Sequence, residues 1–403
     1  MRIMFYDVII IGGCASGLAA AINAKRQHPS FSVAVIEKLP RVGKKILSTG
    51  NGRCNLTNLS ACNHPYRHKT FTDAAFLKYP PENVIEFFAS LGLLTYSDKE
   101  GRVYPRSNTA ASVLDALRYG CENENVELIT ECAAEKVEKN GDNFKINGKY
   151  ECRYLILATG GKSSPAQGSD GSGYALAKKF GHKITALFPA LVPLGTKPEA
   201  VRSLKGIRAS GVELTLDDKK TRGEILFTDS GVSGIAAMEL ASAAERLLYD
   251  GEKAELNINF IPEMNKDELK SYIENALKIK AGQPMENFLC GILPKQLGIF
   301  ILKNCEIYRG DELIGETSDS MINLIADTIK EFSLDITGTR GFRDSQVTSG
   351  GVRTDEINGD NMMSKLCENL YFCGEIIDVD GDCGGFNLQW AFASGLLAGE
   401  LND

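Results

Sequence analysis

One stretch, Tyr6 to Glu37, constrains this chain more than any other. Val8 to Ile11 form a continuous apolar run bounded by glycines, which suits a strand buried on both faces of a parallel sheet. Gly12, Gly13 and Gly17 turn into an Ala/Leu-rich segment of good helix propensity, and a second strand, Ser32 to Ile36, ends in Glu37. The order predicts a βαβ unit. Its turn lets backbone approach a pyrophosphate, its helix N-terminus supplies oriented N–H groups, and its acid takes ribose hydroxyls. A glycine string alone says little, but here the strand, helix and acid are in place. The dinucleotide is therefore expected on Gly12, Gly13, Cys14, Ala15, Ser16, Gly17, Glu37 and Lys38. Cys14 stands where the second glycine of GxGxxG is usual. Either Gly13 takes over part of the close approach, or the cofactor sits further out, or the thiol packs back as a small hydrophobe.

The chain has 403 residues, enough for two or three domains. A net charge of -7 argues against a general nucleic-acid or anionic-membrane surface. No apolar run reaches membrane-spanning length, and the N-terminal run is short, contains Asp7 and flows into the glycine turn, unlike a signal peptide. Eleven scattered cysteines without a CxxC pair read as reduced thiols in a cytoplasmic setting. Cys54, Cys62, His64 and His68 lie close together, but their spacing fits no structural zinc pattern, so no metal is expected.

After Glu37, Arg41 to Asn58 is a basic, glycine-rich loop, and a long loop inside a compact domain is usually functional. Lys44 and Lys45 suit phosphate, and Gly50 and Gly52 let backbone lie against a flat ligand. Together with the glycine turn, this segment resembles the BaiN-like flavoproteins, the dehydro-bile-acid reductase family whose members are also labelled aminoacetone-oxidase-like. The family pattern RxGKKxLxSGxGRCNxTN is matched at Arg41, Gly43, Lys44, Lys45, Leu47, Gly50, Gly52, Arg53, Cys54, Asn55, Thr57 and Asn58, with Thr49 for the usual Ser. The resemblance implies that the segment around Arg53, Cys54 and Asn55 lies along FAD.

The resemblance continues to the C-terminus. It implies FAD contacts near Ala134 and at the strand end Ala158-Thr159-Gly160-Gly161. In the family's FTHxGxSGP, this chain keeps Phe227, Thr228, Gly231, Ser233 and Gly234 but has Asp229 for His and Ile235 for Pro. Asp229 is thus a candidate acid or base, or the N-cap of a helix running towards Leu248. Near the end, GEIxDVDGxxGGYNLQWA is matched almost throughout, with Phe386 for Tyr. Gly374, Glu375, Asp378, Gly384, Gly385, Phe386, Asn387 and Leu388 are expected on the flavin, with Glu375 holding the ribityl chain. The glycine-headed helix after Gly385 suits negative charge developing at the flavin N1–C2=O edge.

The fold expected is α/β: a Rossmann-like, glutathione-reductase-like FAD-binding domain in two parts, 1–190 and 347–403. Between them are expected an inserted, mostly β domain, 191–261 and 303–346, and a small helical lid, 262–302. Strands are expected at Cys132–Glu138, Gly211–Leu216 and Arg222–Phe227, and helices at Asn265–Lys280, Met285–Ile301 with a break near Pro294, and Ser320–Phe332. His182 is expected to cap or to face solvent, and Trp390 to lie in the core.

Only one dinucleotide unit is present, so NADH or NADPH would bind in a shared pocket or electrons would arrive otherwise. The leading expectation is an FAD-dependent reductase of an activated C=C bond in a small molecule, possibly a steroid or bile-acid-like enone. Arg53 or a neighbouring backbone N–H would polarise the carbonyl, and Cys54, unless it simply packs, or Asp229 would supply a proton. The alternatives are a flavin amine oxidase acting on an aminoketone and, outside enzymes, a flavin-binding regulator. An RNA-modifying flavoprotein is disfavoured by the acidic balance. Substrate and oligomeric state stay open.

Overall fold

The computed structural model describes residues 3–401 apart from Arg309, Asp311 and Glu316. It divides into two compact units, Met1–Phe188 with Phe342–Asp403, and Pro189–Gly341.

The first unit is built on a seven-stranded sheet. Strand Met4–Ile11 pairs in parallel with Val33–Ile36 on one side, which in turn pairs with Glu127–Ile129. On its other side it pairs in parallel with Tyr150–Leu157, in register Val8 to Tyr154 and Ile11 to Leu157. That strand changes partner along its length. Its first residues take antiparallel Asn143–Ile146, which carries Val137–Asn140 at the edge, and its last take parallel Leu370–Phe372. Val8, Ile9 and Ile10 are fully buried, as a run covered on both faces must be.

Helix Ala15–Gln27 packs on this sheet and against the C-terminal helix Phe386–Ala398. Small residues set that contact: a Cβ on Gly395 would lie 2.4 Å from Ser16 O, and one on Gly399 2.5 Å from Ala20 O. Asn23 Nδ2 donates to Leu396 O at 2.6 Å across the same seam. Leu18 and Ile22 are fully buried here, each contributing about 1.5–3 kcal/mol over exposure.

The second unit closes a six-stranded antiparallel barrel from Leu194–Thr196, Gly231–Ser233, Lys219–Thr228, Arg208–Leu216, Ala254–Asn259 and Phe332–Thr339, in that order. Leu194 pairs with Val232 on one side and Thr339 on the other, which completes the ring. Helices Lys266–Lys280, Lys295–Asn304 and Asp319–Lys330 share one core with the barrel, so the stretch expected as a lid, 262–302, does not have a core of its own. The first of these starts at a full capping box, Asn265 with Glu268.

Two local expectations are corrected. Residues 132–136 are not strand, because Asn147 Oδ1 takes the N–H groups of Glu135 and Lys136, and the strand begins at Val137. The segment after Asp229 is a hairpin followed by two helices, Ile235–Glu239 and Ala241–Tyr249. A Cβ on Gly231 would lie 1.9 Å from Leu194 O, so the chain is held as strand there. The helix expected over Met285–Ile301 is broken at Pro294 as expected, into a short 3-10 turn, Met285–Asn287, and the helix Lys295–Asn304. Among the described residues no helix is long and apolar enough to cross a membrane.

Candidate functional site

The site is built where four separate segments of the first unit converge: the N-terminal glycine turn, the basic loop, the Ala158–Gly161 strand end and the 374–388 stretch. Gly12 has φ +111° and no room for a side chain, since a Cβ would sit 2.4 Å from Ala158 O. A Cβ on Gly17 would sit 1.9 Å from Gly12 O. These two glycines let helix and strand meet, and Ala15, Ser16 and Gly17 are left with N–H groups ahead of the first helical bond, Leu18 N to Cys14 O.

Cys14 takes the third of the courses open to it. It is extended backbone at the helix cap, and its thiol packs against the core, where burial pushes its pKa up. Glu37 is buried, and its Oε2 accepts Gly13 N–H at 2.9 Å while Oε1 accepts Leu39 N–H at 2.8 Å. Each oxygen keeps a lone pair for a ribose. Lys38 is paired with Asp170 at 2.7 Å.

In the basic loop Lys44 Nζ donates to Ala166 O, and Lys45 Nζ lies 2.7 Å from Glu375 Oε2. Glu375 Oε1 accepts Thr348 N–H at 2.7 Å, so this acid joins three segments. Gly43 and Gly50 hold left-handed turns, φ +70° and +55°, and Gly52 at +81° meets nothing within 4 Å. Arg53 is exposed, its guanidinium 4.7 Å over the Tyr104 ring. Cys54 is fully buried and burial pushes its thiol up to about 12, so its proton stays in place at neutral pH.

Ala158 donates its N–H to Ile11 O, and the turn after it is crowded with hydroxyls. Gly160 has φ +72°, and Gly161 would bring a Cβ within 2.4 Å of Thr348 Oγ1. Thr348 Oγ1 accepts from Lys162 and Ser163 N–H and meets Ser163 Oγ at 2.9 Å. Ala134 is half-buried in the loop before Val137.

At the other end Asp378 is buried, 2.7 Å from Arg67 Nε and 3.2 Å from His68 Nε2. Gly374, Gly384 and Gly385 all have positive φ, and the helix begins at Phe386. Asn387 spends its side chain on the preceding loop, accepting from Gly381 N–H and donating to Gly381 O. Leu388 is half-buried, and Trp390 is buried with its Nε1 donating to Gly374 O at 3.1 Å. Thr348, Ser163, Arg67 and His68 carry no local signal of these roles; only the fold brings them in.

Four buried polar atoms here have no protein partner: Asn55 Oδ1, Thr159 Oγ1, Ser169 Oγ and Tyr174 OH. Ser169 Oγ lies 3.2 Å from where Gly160 would carry a Cβ, and Asn55 Oδ1 2.7 Å from that of Gly385. Unpaired buried hydroxyl and amide groups are costly. Beside glycine-lined backbone at both ends of the site, they fit an FAD that would satisfy them. Asp229 lies in the second unit, exposed in the Thr228–Gly231 hairpin, with Oδ1 2.8 Å from Lys205 Nζ and no helix to cap.

The HI0933-like protein Rossmann domain family matches residues 6–401. Over 403 aligned residues the chain is 37% identical to the 3-dehydro-bile acid Δ(4,6)-reductase of Clostridium scindens, covering 97% of each. It is 30% identical over 402 residues to a ribosomal RNA dihydrouridine synthase of Haemophilus influenzae, covering 97% of this chain and 96% of that one. Among solved structures, a 3-ketosteroid Δ1-dehydrogenase from Sterolibacterium denitrificans aligns over 98% of both chains at 14% identity and a TM-score of 0.50, a likeness of fold.

Proposed function

The chain belongs to the HI0933-like Rossmann family and is an FAD-dependent oxidoreductase, and from that premise we propose that it reduces a C=C bond conjugated to a carbonyl, with NADH or NADPH as electron source. The observation that carries the reading is the identity to a Δ(4,6)-reductase of a 3-dehydro bile acid, extending over 97% of both chains. Dihydrouridine formation, the reaction in the second relative's name, is also saturation of a C=C bond conjugated to a carbonyl. Substrates so different share only that electronic feature.

Bound FAD would supply a hydride from its reduced N5 to the β-carbon of such a bond. The residues of this chain would do the rest. The N–H groups of Ala15, Ser16 and Gly17, with Lys44 and Lys45, would hold the pyrophosphate, and Glu37 the ribose. Glu375, already fixed by Lys45 and Thr348, would orient the ribityl chain. Arg53 is exposed, with its Nε donating to Gly50 O at 3.4 Å, and would polarise the substrate carbonyl. Of the two proton donors the sequence offered, burial argues against Cys54, and Asp229 is the other, to be tested by substitution.

A second reading, rRNA uridine as substrate, is favoured by the 30% relative and opposed by the charge of -7. One experiment separates them. The FAD-loaded protein is mixed anaerobically with NADH or NADPH, then with a Δ4-3-oxosteroid or with unmodified rRNA. Bleaching of the flavin band by a nicotinamide, then reoxidation by the steroid alone, is expected. Reoxidation by rRNA alone would move the assignment to RNA, and peroxide formed in air with an aminoketone would make it an oxidase. Arg53→Ala and Asp229→Asn should lower turnover with FAD retained; unchanged turnover in both would remove them from the mechanism.

A further inference from the structure

His64 belongs to the cysteine–histidine cluster whose spacing fits no structural zinc pattern, and the reaction above gives it no part. Its side chain is 9% exposed. The ring lies flat on Phe386, centroids 3.8 Å apart and planes within 11°, and edge-on to Tyr66 at 4.8 Å. Its Nε2 accepts the Asp382 N–H at 3.2 Å. A ring nitrogen that accepts carries no proton, so this bond belongs to the neutral imidazole.

The bond matters because of the loop it holds. Residues 381–385 lead into the glycine-headed helix, and a few side chains fix them. Asn387 grips Gly381 and Asp382 O, Asn58 Nδ2 donates to Gly384 O at 2.9 Å, and the Tyr66 hydroxyl donates to Phe386 O at 2.9 Å. Of these anchors only an imidazole changes charge between pH 5 and 8.

We propose that His64 is a positioning residue for this loop, and that the loop keeps the shape a flavin meets only while the His64 ring is neutral. This rests on FAD being seated at the head of the C-terminal helix. The groups that face the ring are the Asp382 carboxylate, 3.6 Å from Nε2, Lys69 from the helix Lys69–Lys78, and the Tyr66 ring from its own segment. Burial pushes the imidazole down; Asp382 opposes this and Lys69 adds to it. Once protonated, Nε2 becomes a donor. It then turns from the Asp382 N–H to the Asp382 carboxylate, and the loop loses that anchor.

The test is FAD affinity, by fluorescence, from pH 8 to 5 in wild type, His64→Phe and His64→Gln. Phe keeps the stacked ring without the acceptor; Gln keeps an acceptor near the Nε2 position without titrating. At pH 8 His64→Phe should bind FAD about tenfold more weakly, the order of one lost hydrogen bond. His64→Gln should stay near wild type there, and both variants should lose the acid-side weakening that wild type shows. Equal binding in wild type and His64→Phe at every pH, or identical behaviour of the two variants, would overturn the proposal. No turnover is measured, so a failed reductase assignment leaves the outcome intact; wild type that takes up no FAD would overturn the cofactor seat and His64's role together.

Discussion

Two helices of the first unit begin at glycines, and their starts are held in different ways. The helix Ala15–Gln27 starts from a turn held mainly from nearby in sequence, Gly12 against Gly17 and Gly13 N–H on Glu37, 24 positions on, with the Ala158 strand end packed against Gly12 from further along. The helix Phe386–Ala398 starts from a loop whose anchors Tyr66, Asn58 and His64 lie 318 to 326 positions away. Most of the first start is available once its βαβ unit forms. The second needs the chain to have closed. The functional site therefore joins a locally encoded half to a half assembled by tertiary structure.

Substitutions at the two starts break this comparison most sharply. Gly17→Ala puts a methyl 1.9 Å from Gly12 O, against backbone that has no room to move. A loss of more than about 4 kcal/mol, or of soluble protein altogether, is expected from urea unfolding. A cost under about 1 kcal/mol would show that the first turn is looser than its geometry requires.

Gly385→Ala tests the second start. Gly385 has φ +100°, and a Cβ would meet Thr57 O at 2.6 Å. A smaller loss of about 2–3 kcal/mol is expected, with FAD uptake falling more than stability, because the loop is partly exposed and can yield. Wild-type FAD affinity in this variant would detach the C-terminal loop from the cofactor site.

The smallest effect sharpens the comparison through pH. His182, expected to cap or face solvent, is buried, with Nε2 2.7 Å from Ser364 Oγ and Nδ1 3.3 Å from Glu356 Oε2. Ser364 Oγ already accepts from Leu366 and Cys367 N–H, so its proton goes to Nε2 and the ring is neutral. Burial pushes His182 down despite Glu356, as it does His64. A histidine depressed in the folded state contributes stability that is whole above its unfolded pKa, about 6.5, and is lost as pH falls from there towards the folded value. Both histidines brace the C-terminal segment and neither braces the first start. Amide exchange at pH 5.5 should rise over residues 364–395 more than over 12–25, and His182→Gln should reduce the difference. Equal loosening of both stretches would erase the distinction.

Much of the first start was legible in the residues. Val8–Ile11, Gly12, Gly17 and Glu37 read as strand, turn and acid, and the structure has them so. The helix expected over Asn265–Lys280 was equally plain, and it runs Lys266–Lys280. The barrel was harder to see. Leu194–Thr196 and Gly231–Ser233 are three residues each, too short for alternation to register, and closure depends on Leu194 pairing on both sides. Cys14 could not be decided from sequence, because whether a thiol meets a ligand or a core depends on what covers it.

By itself, then, the sequence determined the βαβ unit, the glycine positions and the family of cofactor chemistry. Glycine conformation, helix propensity and capping act over a few residues, and so can be read in order along the chain. Tertiary structure alone decided which buried polar atoms are paired and which are left for a ligand. It placed Glu375 between Lys45 and Thr348, Asp378 between Arg67 and His68, and His64 under the Asp382 loop. A buried polar group must find a partner wherever the chain brings one, and those partners come from segments the order of residues does not connect.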